Sequence, residues 1–448
     1  MKRETASSDR FSIEFTRWDD CAPGGFKFPR QGPVQEWFKN PPEKVDVFRG
    51  YSPGEGLTMK RTALIIALIV ALAPAAAGAE TSYHGVSAGG IVNDVAITAD
   101  GRYMVAGAGS GSIVCLQQDG TVPWNVSAGS AVTAVAVADA GDYIAAGTER
   151  GDVLLLDGNG GRYWTKSVTG PVRDLAFAGD GRSIAVAGDR IVLFTNLGKE
   201  EWNRAMQPGA RSGDTRPYVT SVAFTNDGKF IVTGSSNGAI LFMNRQGNLI
   251  WEGLARSAVT AVDVSRDGSI IAAGSRDRAL QIYGRAGSLP WAMPTGAPIL
   301  ALTLSGDGRF VVVGKEGGDV DCYRPNDAIL WKDRTGSDVL GVDVSRRGEA
   351  VAAGTANGTV RLWSNTGDVR WSFDAGGPVR GVALSDGGDY LAAGAGERAF
   401  IFRTADEPVT AEETENATTE PTRAGGAGAL IGLLAVAAAG AAGRLRRR

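Results

Sequence analysis

The sequence predicts an all-β chain whose main part, residues 80–403, is a ring of eight four-stranded blades: an eight-bladed β-propeller. Three periodic series predict it. Turn glycines recur at Gly101, Gly141, Gly181, Gly228, Gly268, Gly308, Gly348 and Gly388, at one constant step except for the longer interval from Gly181 to Gly228. A second series, Gly107, Gly147, Gly188, Gly234, Gly274, Gly314, Gly354 and Gly394, ends short apolar runs. The third is Trp124, Trp164, Trp202, Trp251, Trp291, Trp331 and Trp371. The shared period, about 40 residues, is the length of one four-stranded blade.

One unit shows why each element forms. Val259 to Val264 alternates as a strand and ends at the turn Arg266-Asp267-Gly268. Asp-Gly suits tight turns because glycine tolerates positive φ and aspartate hydrogen-bonds its own backbone. Ile270 to Ala273 is a second strand, ended by Gly274, and Leu280 to Tyr283 a third. Arg285-Ala286-Gly287 then turns the chain, and Leu289 to Trp291 opens the fourth. The first two strands are rich in small and β-branched residues, as expected near a crowded axis.

The ends predict how the ring closes. The last unit has a third strand, Ala399 to Phe402, but no tryptophan and no fourth strand. His84 precedes Trp124 by one full period, so Tyr83-His84-Gly85-Val86 supplies the missing strand. Pairing the two would hide both edges.

Composition narrows the function classes. Hydrophobic residues make up 43% and charged residues 21%, as in a globular protein, and 63 glycines fit many tight turns. A net charge of −3 argues against nucleic acid, whose binding needs a basic field. Three cysteines give no disulfide framework, and Cys115 and Cys322 take the place of Leu155, Ile282 and Leu362, as buried apolar residues do. The single histidine, His84, leaves little room for zinc or for Ser-His chemistry. No metal or cofactor is expected.

Asn357-Gly358-Thr359-Val360-Arg361-Leu362-Trp363 resembles the third strand of WD-repeat blades. The Gly-x-x-x-Trp spacing of Gly287 to Trp291 and Gly367 to Trp371 is similar to the quinoprotein, or PQQ-like, propeller, whose tryptophans dock between blades. The resemblance covers residues 82–403. It implies a structural role for all seven tryptophans, each holding one blade against the next. It leaves activity open, since these propellers include dehydrogenases, scaffolds and adhesion modules. The Gly-His and Trp-Asp dipeptides of WD repeats are missing, and so is the vicinal cysteine pair of many quinone-dependent alcohol dehydrogenases.

Before the ring, Lys60-Arg61, the apolar run Ala63 to Ala73 and Ala77-Gly78-Ala79 have the three-part layout of a secretory signal peptide over 59–79. The mature chain then starts at Glu80. Residues 1–58 read as a disordered extension from a misassigned start at Met1. A cytoplasmic extension followed by an uncleaved anchor is the alternative, though the apolar run is short for a span. After the ring, 404–423 is a Thr/Glu/Pro-rich stalk. Residues 424–443 are twenty uncharged residues that suit a transmembrane helix, and 444–448 a cytoplasmic basic tail. The arrangement resembles the C-terminal sorting signals of prokaryotic surface proteins, without their usual recognition motif. It places the propeller outside the membrane.

Candidate binding residues are few. The heads of the first strands, Asn93, Thr133, Arg173, Thr220, Thr260, Leu300, Leu340 and Arg380, are expected to face the channel. Arg173 and Arg380 there could hold an anion, or else point to solvent or pair with acids such as Asp174. The one irregular unit adds Pro208 to Tyr218, with Arg211, Asp214 and Arg216, on the face where propellers bind partners; surface-loop length drift explains it equally. Asn125, Asn357 and Asn416 head glycosylation triplets, Asn416 in the stalk. No catalytic residue is identified. The expected function is a non-enzymatic cell-surface binding or scaffold protein for a protein or carbohydrate partner. The alternatives are a quinone-dependent dehydrogenase or other propeller enzyme, and an envelope-protein assembly scaffold.

Overall fold

A computed structural model describes residues 83–206, 216–288, 291–325 and 329–405. Within them lie 32 strands in eight four-stranded antiparallel sheets, and no helix. The extension, the signal segment 59–79, and the stalk beyond 405 with the apolar segment and basic tail that follow it lie outside the described residues.

Blades 1 to 8 begin with the inner strands Val92–Ile97, Val132–Val137, Asp174–Phe177, Val219–Phe224, Val259–Val264, Ile299–Leu304, Val339–Val344 and Val379–Leu384. In blades 1 to 7 the four strands follow one another outward in chain order. Each inner strand packs against the inner strands of the two neighbouring blades, and that of blade 8 returns to that of blade 1. In blade 8 the outermost strand is Tyr83–Ser87, antiparallel to Arg398–Arg403, with Tyr83 opposite Phe402 and Gly85 opposite Phe400.

The glycine that ends each second strand has a steric cause. A Cβ on Gly274 would lie 2.6 Å from Ile299, the first inner-strand residue of the next blade, and one on Gly147 would lie 2.2 Å from Val172. A β-branched side chain of the next blade therefore packs directly over the glycine, and only glycine leaves it room. The turn aspartates act locally. Ser265 Oγ and the Ser269 N–H both donate to Asp267 Oδ1, at 2.8 and 2.9 Å. Partial burial pushes the Asp267 carboxyl up, but these hydrogen bonds outweigh it and hold the group below the usual range.

The tryptophans face the next blade. Six indole N–H groups, those of Trp124, Trp164, Trp202, Trp251, Trp331 and Trp371, donate to carbonyls of the following blade at 2.7–3.3 Å. Trp291 meets Tyr323 of blade 6 edge-on at 5.6 Å. Trp251 stacks between Phe242 and Tyr283, at 5.3 and 4.8 Å, and lies over Gly287, where φ is +81° and a Cβ would fall 2.6 Å from the ring. His84 occupies the same place over Gly120. Trp251→Ala is expected to lower stability by about 3 kcal/mol, read from the midpoint of urea unfolding.

Three boundaries differ from the sequence expectation. The fourth strand of blade 5 starts at Trp291, with 289–290 outside the described residues. The inner strand of blade 3 starts at Asp174, leaving Arg173 ahead of it. Thr404, expected to open the stalk, is 4% exposed and accepts the Trp371 indole, so blade 8 extends past 403. Its neighbour across the turn is Gly388, whose carbonyl accepts the Thr404 hydroxyl.

Candidate functional site

The channel is framed by the eight inner strands, and its two ends differ. At the far end the turns after the inner strands place Ala99, Asp139, Gly179, Asn226, Arg266, Gly306, Arg346 and Asp386 at equivalent positions. Neighbouring turns are joined by backbone: Asn226 N–H to Arg266 O at 3.0 Å, Arg266 N–H to Gly306 O at 3.0 Å, and Asp386 N–H to Ala99 O at 2.9 Å. Asp139 of blade 2 pairs with Arg266 of blade 5 at 2.6 Å and with Arg346 of blade 7 at 3.6 Å. Both arginines sit three blades away from it, so these ion pairs cross the ring. Arg346 also pairs with Asp386. Burial, then the nearby charge of Asp139, pushes the Asp386 carboxyl up.

The opposite end is open. A pocket of about 520 Å³ is lined by Asn93, Ala131, Thr133, Glu149, Leu340 and Arg380, which span blades 7, 8, 1 and 2. Arg380 and Glu149 are exposed, and among the described residues no ion pair engages either. A cation and an anion thus stand on different walls of one concavity, with Leu340 between blades 6 and 8 as an apolar surface. Such a site can hold a polar segment carrying charges of both signs.

Of the strand heads expected to face the channel, Asn93, Thr133, Leu340 and Arg380 line the pocket at its mouth and Arg173 does not. In seven blades, all but blade 3, the head residue is the extra residue of a β-bulge: Val92 pairs with Ala108 and Asp94 with Gly107, leaving Asn93 out. A bulge re-aims its side chain. Asn93, Thr133 and Thr260 accordingly donate to the Val132, Val172 and Ile299 carbonyls of the next blade, at 2.8, 2.6 and 2.9 Å. Arg173 neither pairs with Asp174 nor reaches the pocket; its guanidinium lies 3.8 Å above the Tyr218 ring. Arg380 does line the pocket, while Arg173 is separated from it, so the structure does not join the two arginines in one site.

Of the loop residues, Arg211 and Asp214 lie outside the described residues, and Arg216 is exposed. Asn416 is also outside them. Asn125 is exposed on an outermost strand, while Asn357 Oδ1 accepts the Thr355 hydroxyl at 2.6 Å and so braces its own turn. Cys115 and Cys322 are buried free thiols in blades 1 and 6.

Of charged residues, sequence reasoning placed only the two arginines on the channel wall and missed its carboxylates. Asp94, Asp174, Asp263 and Asp343 sit on the inner strands of blades 1, 3, 5 and 7. Each accepts the N–H of its own successor on Oδ1 and, on Oδ2, an inner-strand N–H of the next blade: Val135, Val222, Leu304 and Leu384. All eight distances are 2.7–2.9 Å. The signal was present as Asp in every second repeat, but a polar residue in an alternating strand reads as solvent-facing. Their lone pairs are committed to the backbone, which suits holding blades together better than catalysis. Among the described residues no group of three or more His, Cys, Asp or Glu is placed to hold a metal ion.

Comparison with known proteins agrees with this architecture. The family model for the outer membrane protein assembly factor BamB matches residues 109–317, and that for the WD domain, G-beta repeat, matches 331–364. No curated protein sequence matches. Among solved structures, Chaetomium thermophilum Sqt1 bound to the N-terminus of ribosomal protein L10 is 16% identical, with a TM-score of 0.62 over 72% of this chain and 98% of that one. Saccharomyces cerevisiae Sqt1 is 14% identical, with a TM-score of 0.61 over 72% and 97%. The computationally designed Ika8 protein is 19% identical, with a TM-score of 0.60 over 71% and 98%. At these identities the likeness speaks for the fold alone. Repeat pattern, eight sheets and both family matches together make this chain an eight-bladed β-propeller of the WD-repeat-like, PQQ-like kind.

Proposed function

We propose that this chain is a non-enzymatic binding or scaffold protein that carries its propeller outside a membrane and receives a polypeptide partner at the open mouth of the channel. The observation that carries the reading is the asymmetry of the two ends. One is bridged by ion pairs across the ring, and the other opens into a pocket with Arg380 and Glu149 available for pairing. A partner that enters must bind and leave at the same mouth. Binding of a ribosomal-protein N-terminus by Sqt1 supports a polypeptide ligand for a propeller of this fold. The match to the BamB family model favours, as a second reading, a scaffold for envelope-protein assembly. The signal segment, the apolar C-terminal stretch and the terminal arginines support the outside topology, with the stalk as spacer and Asn416 as its glycan site.

The test is crosslinking in intact cells with a photoreactive residue at Leu340, in the mouth, or at Arg347, beside the bridged end. A discrete polypeptide adduct is expected from Leu340 and none from Arg347. Arg380→Glu together with Glu149→Arg should remove it while leaving the melting midpoint unchanged. Equal adducts from both positions would overturn the mouth assignment. Turnover of an alcohol by the purified protein with added quinone and calcium would overturn the non-enzymatic one. Intact mass and N-terminal sequencing of the native protein would read signal cleavage, tail processing and glycosylation together.

A further inference from the structure

The inner wall alternates. At the position of Asp94 and Asp174, the even-numbered blades carry Ala134, Ser221, Ala301 and Gly381. At that of Asp263 and Asp343 they carry Ala136, Ala223, Thr303 and Ala383. Every carboxylate reaches from an odd blade to the next even one, so four clamps tie the ring together in blade pairs. In blade 6 the Thr303 hydroxyl sits between two of them, 3.3 Å from Asp343 Oδ1 and 3.5 Å from Asp263 Oδ2. One hydroxyl proton cannot serve both oxygens, and no other side-chain donor among the described residues reaches this pair.

We propose that Asp94, Asp174, Asp263 and Asp343, which clamp neighbouring blades, form a proton-responsive set that takes up protons in mildly acid solution and thereby relieves the like charge held on the channel wall. The chain contains one histidine, so it has almost no imidazole to respond between pH 5 and 8. These four carboxyls, half-buried on the inner wall, fill that window instead. Burial pushes Asp94 and Asp263 up to about 7, and Asp174 and Asp343 up to about 6. Their backbone hydrogen bonds pull the other way and keep the shift from being larger. Like charge adds to it, from Asp174 on Asp94, from Asp343 on Asp263 and from Asp386 on Asp343.

The strands packed against the four carry few other charges. Those against Val92–Ile97 hold Tyr103, Tyr390, Arg380, Arg398 and Arg403. Tyr143 lies on a strand packed against Asp174–Phe177, Arg173 immediately precedes that strand, and the strands packed against Val259–Val264 hold no titratable side chain. Val339–Val344 packs against the strands of Lys315 and Arg380. No ion pair among the described residues joins any of these cations to the four aspartates.

The sign follows from the folded values lying above the unfolded 3.8. Between about pH 4 and pH 7 the folded chain binds more protons than the unfolded one, so stability rises as pH falls from 8 towards 5 and is lost as pH climbs through 6 to 7. Melting of the purified full chain should therefore shift upward by about 5 °C or more from pH 8 to pH 5. Unfolding at pH 5.5 should release about three protons, read by calorimetry in buffers of different ionisation enthalpy. Asp94→Asn with Asp263→Asn should roughly halve both numbers. Because that variant loses two N–H acceptors and could fail to fold, the wild-type infrared band of protonated carboxyl is the independent arm; it should weaken as pH rises from 5 to 8. A midpoint that is flat or falls from pH 8 to 5, or a carboxyl band already absent at pH 5, overturns the proposal.

Discussion

A chain that begins at Gly89 is expected to lose cooperative folding. Its eighth sheet would end at Arg398–Arg403, a bare edge whose side chains Phe400, Ile401 and Phe402 are at most 2% exposed in the intact protein. Tyr83, removed with the segment, packs 4.9 Å from Phe373, 5.6 Å from Phe402 and 6.2 Å from Phe400. Uncovering two phenylalanines and deleting the tyrosine costs about 1.5–3 kcal/mol each. Five lost main-chain pairings and an open edge add to that, against a total stability of only about 5–15 kcal/mol. Urea unfolding should become broad and non-coincident by fluorescence and circular dichroism. Moving residues 80–88 to follow Thr404 through a short turn should restore it, because every other blade joins its third and fourth strands by such a hairpin. An unchanged midpoint in the shortened chain would show that the strand contributes nothing.

Lys315→Met should destabilise the protein by about 3–5 kcal/mol, the cost of stranding a buried partner charge. The Lys315 ammonium is 1% exposed and donates to Thr295 O at 3.1 Å and Asp321 Oδ2 at 2.6 Å. Asp321 is itself buried. Its Oδ2 also takes the Tyr323 hydroxyl at 2.8 Å, while its Oδ1 has no partner among the described residues. Removing the lysine leaves that carboxylate with one neutral donor. Replacing both, Lys315→Met with Asp321→Leu, should return most of the loss, since an apolar pair of similar volume does as well as a buried ion pair. A double variant no better than the single one would mean that Lys315 matters through packing rather than charge.

These two cases show how far residues alone lead. Lys315 and Asp321 are six apart in a strand pair, and both look like ordinary surface charges on a hairpin. Blades 2, 4, 5 and 7 place Thr148, Ser235, Ser275 and Thr355 where blade 6 has Lys315, so the departure was visible while its burial was not. The wall aspartates were hidden for a related reason. Alternation assigns Asp263 to the solvent face of a strand, but in the ring that residue is half-buried and accepts the Leu304 N–H of the next blade. At the strand heads a bulge adds one residue and lets Asn93, Thr133 and Thr260 hydrogen-bond the next blade, a contact that alternation does not reveal, while Asn93 and Thr133 still line the channel mouth.

What the sequence determined by itself was the repeat. Its period, its turn aspartates and glycines, and its recurring tryptophans each follow from contacts within one blade or between blades adjacent in the chain. A local pattern therefore suffices to specify seven four-stranded sheets, and the eighth follows from the strand missing at one end and spare at the other. Only the tertiary structure decided which end of the channel is open. The pairing of Asp139 with Arg266 joins residues 127 apart, and that with Arg346 spans the ring again. Nothing in the pattern of one blade encodes a contact across the axis, because that distance is fixed only once all eight sheets have closed.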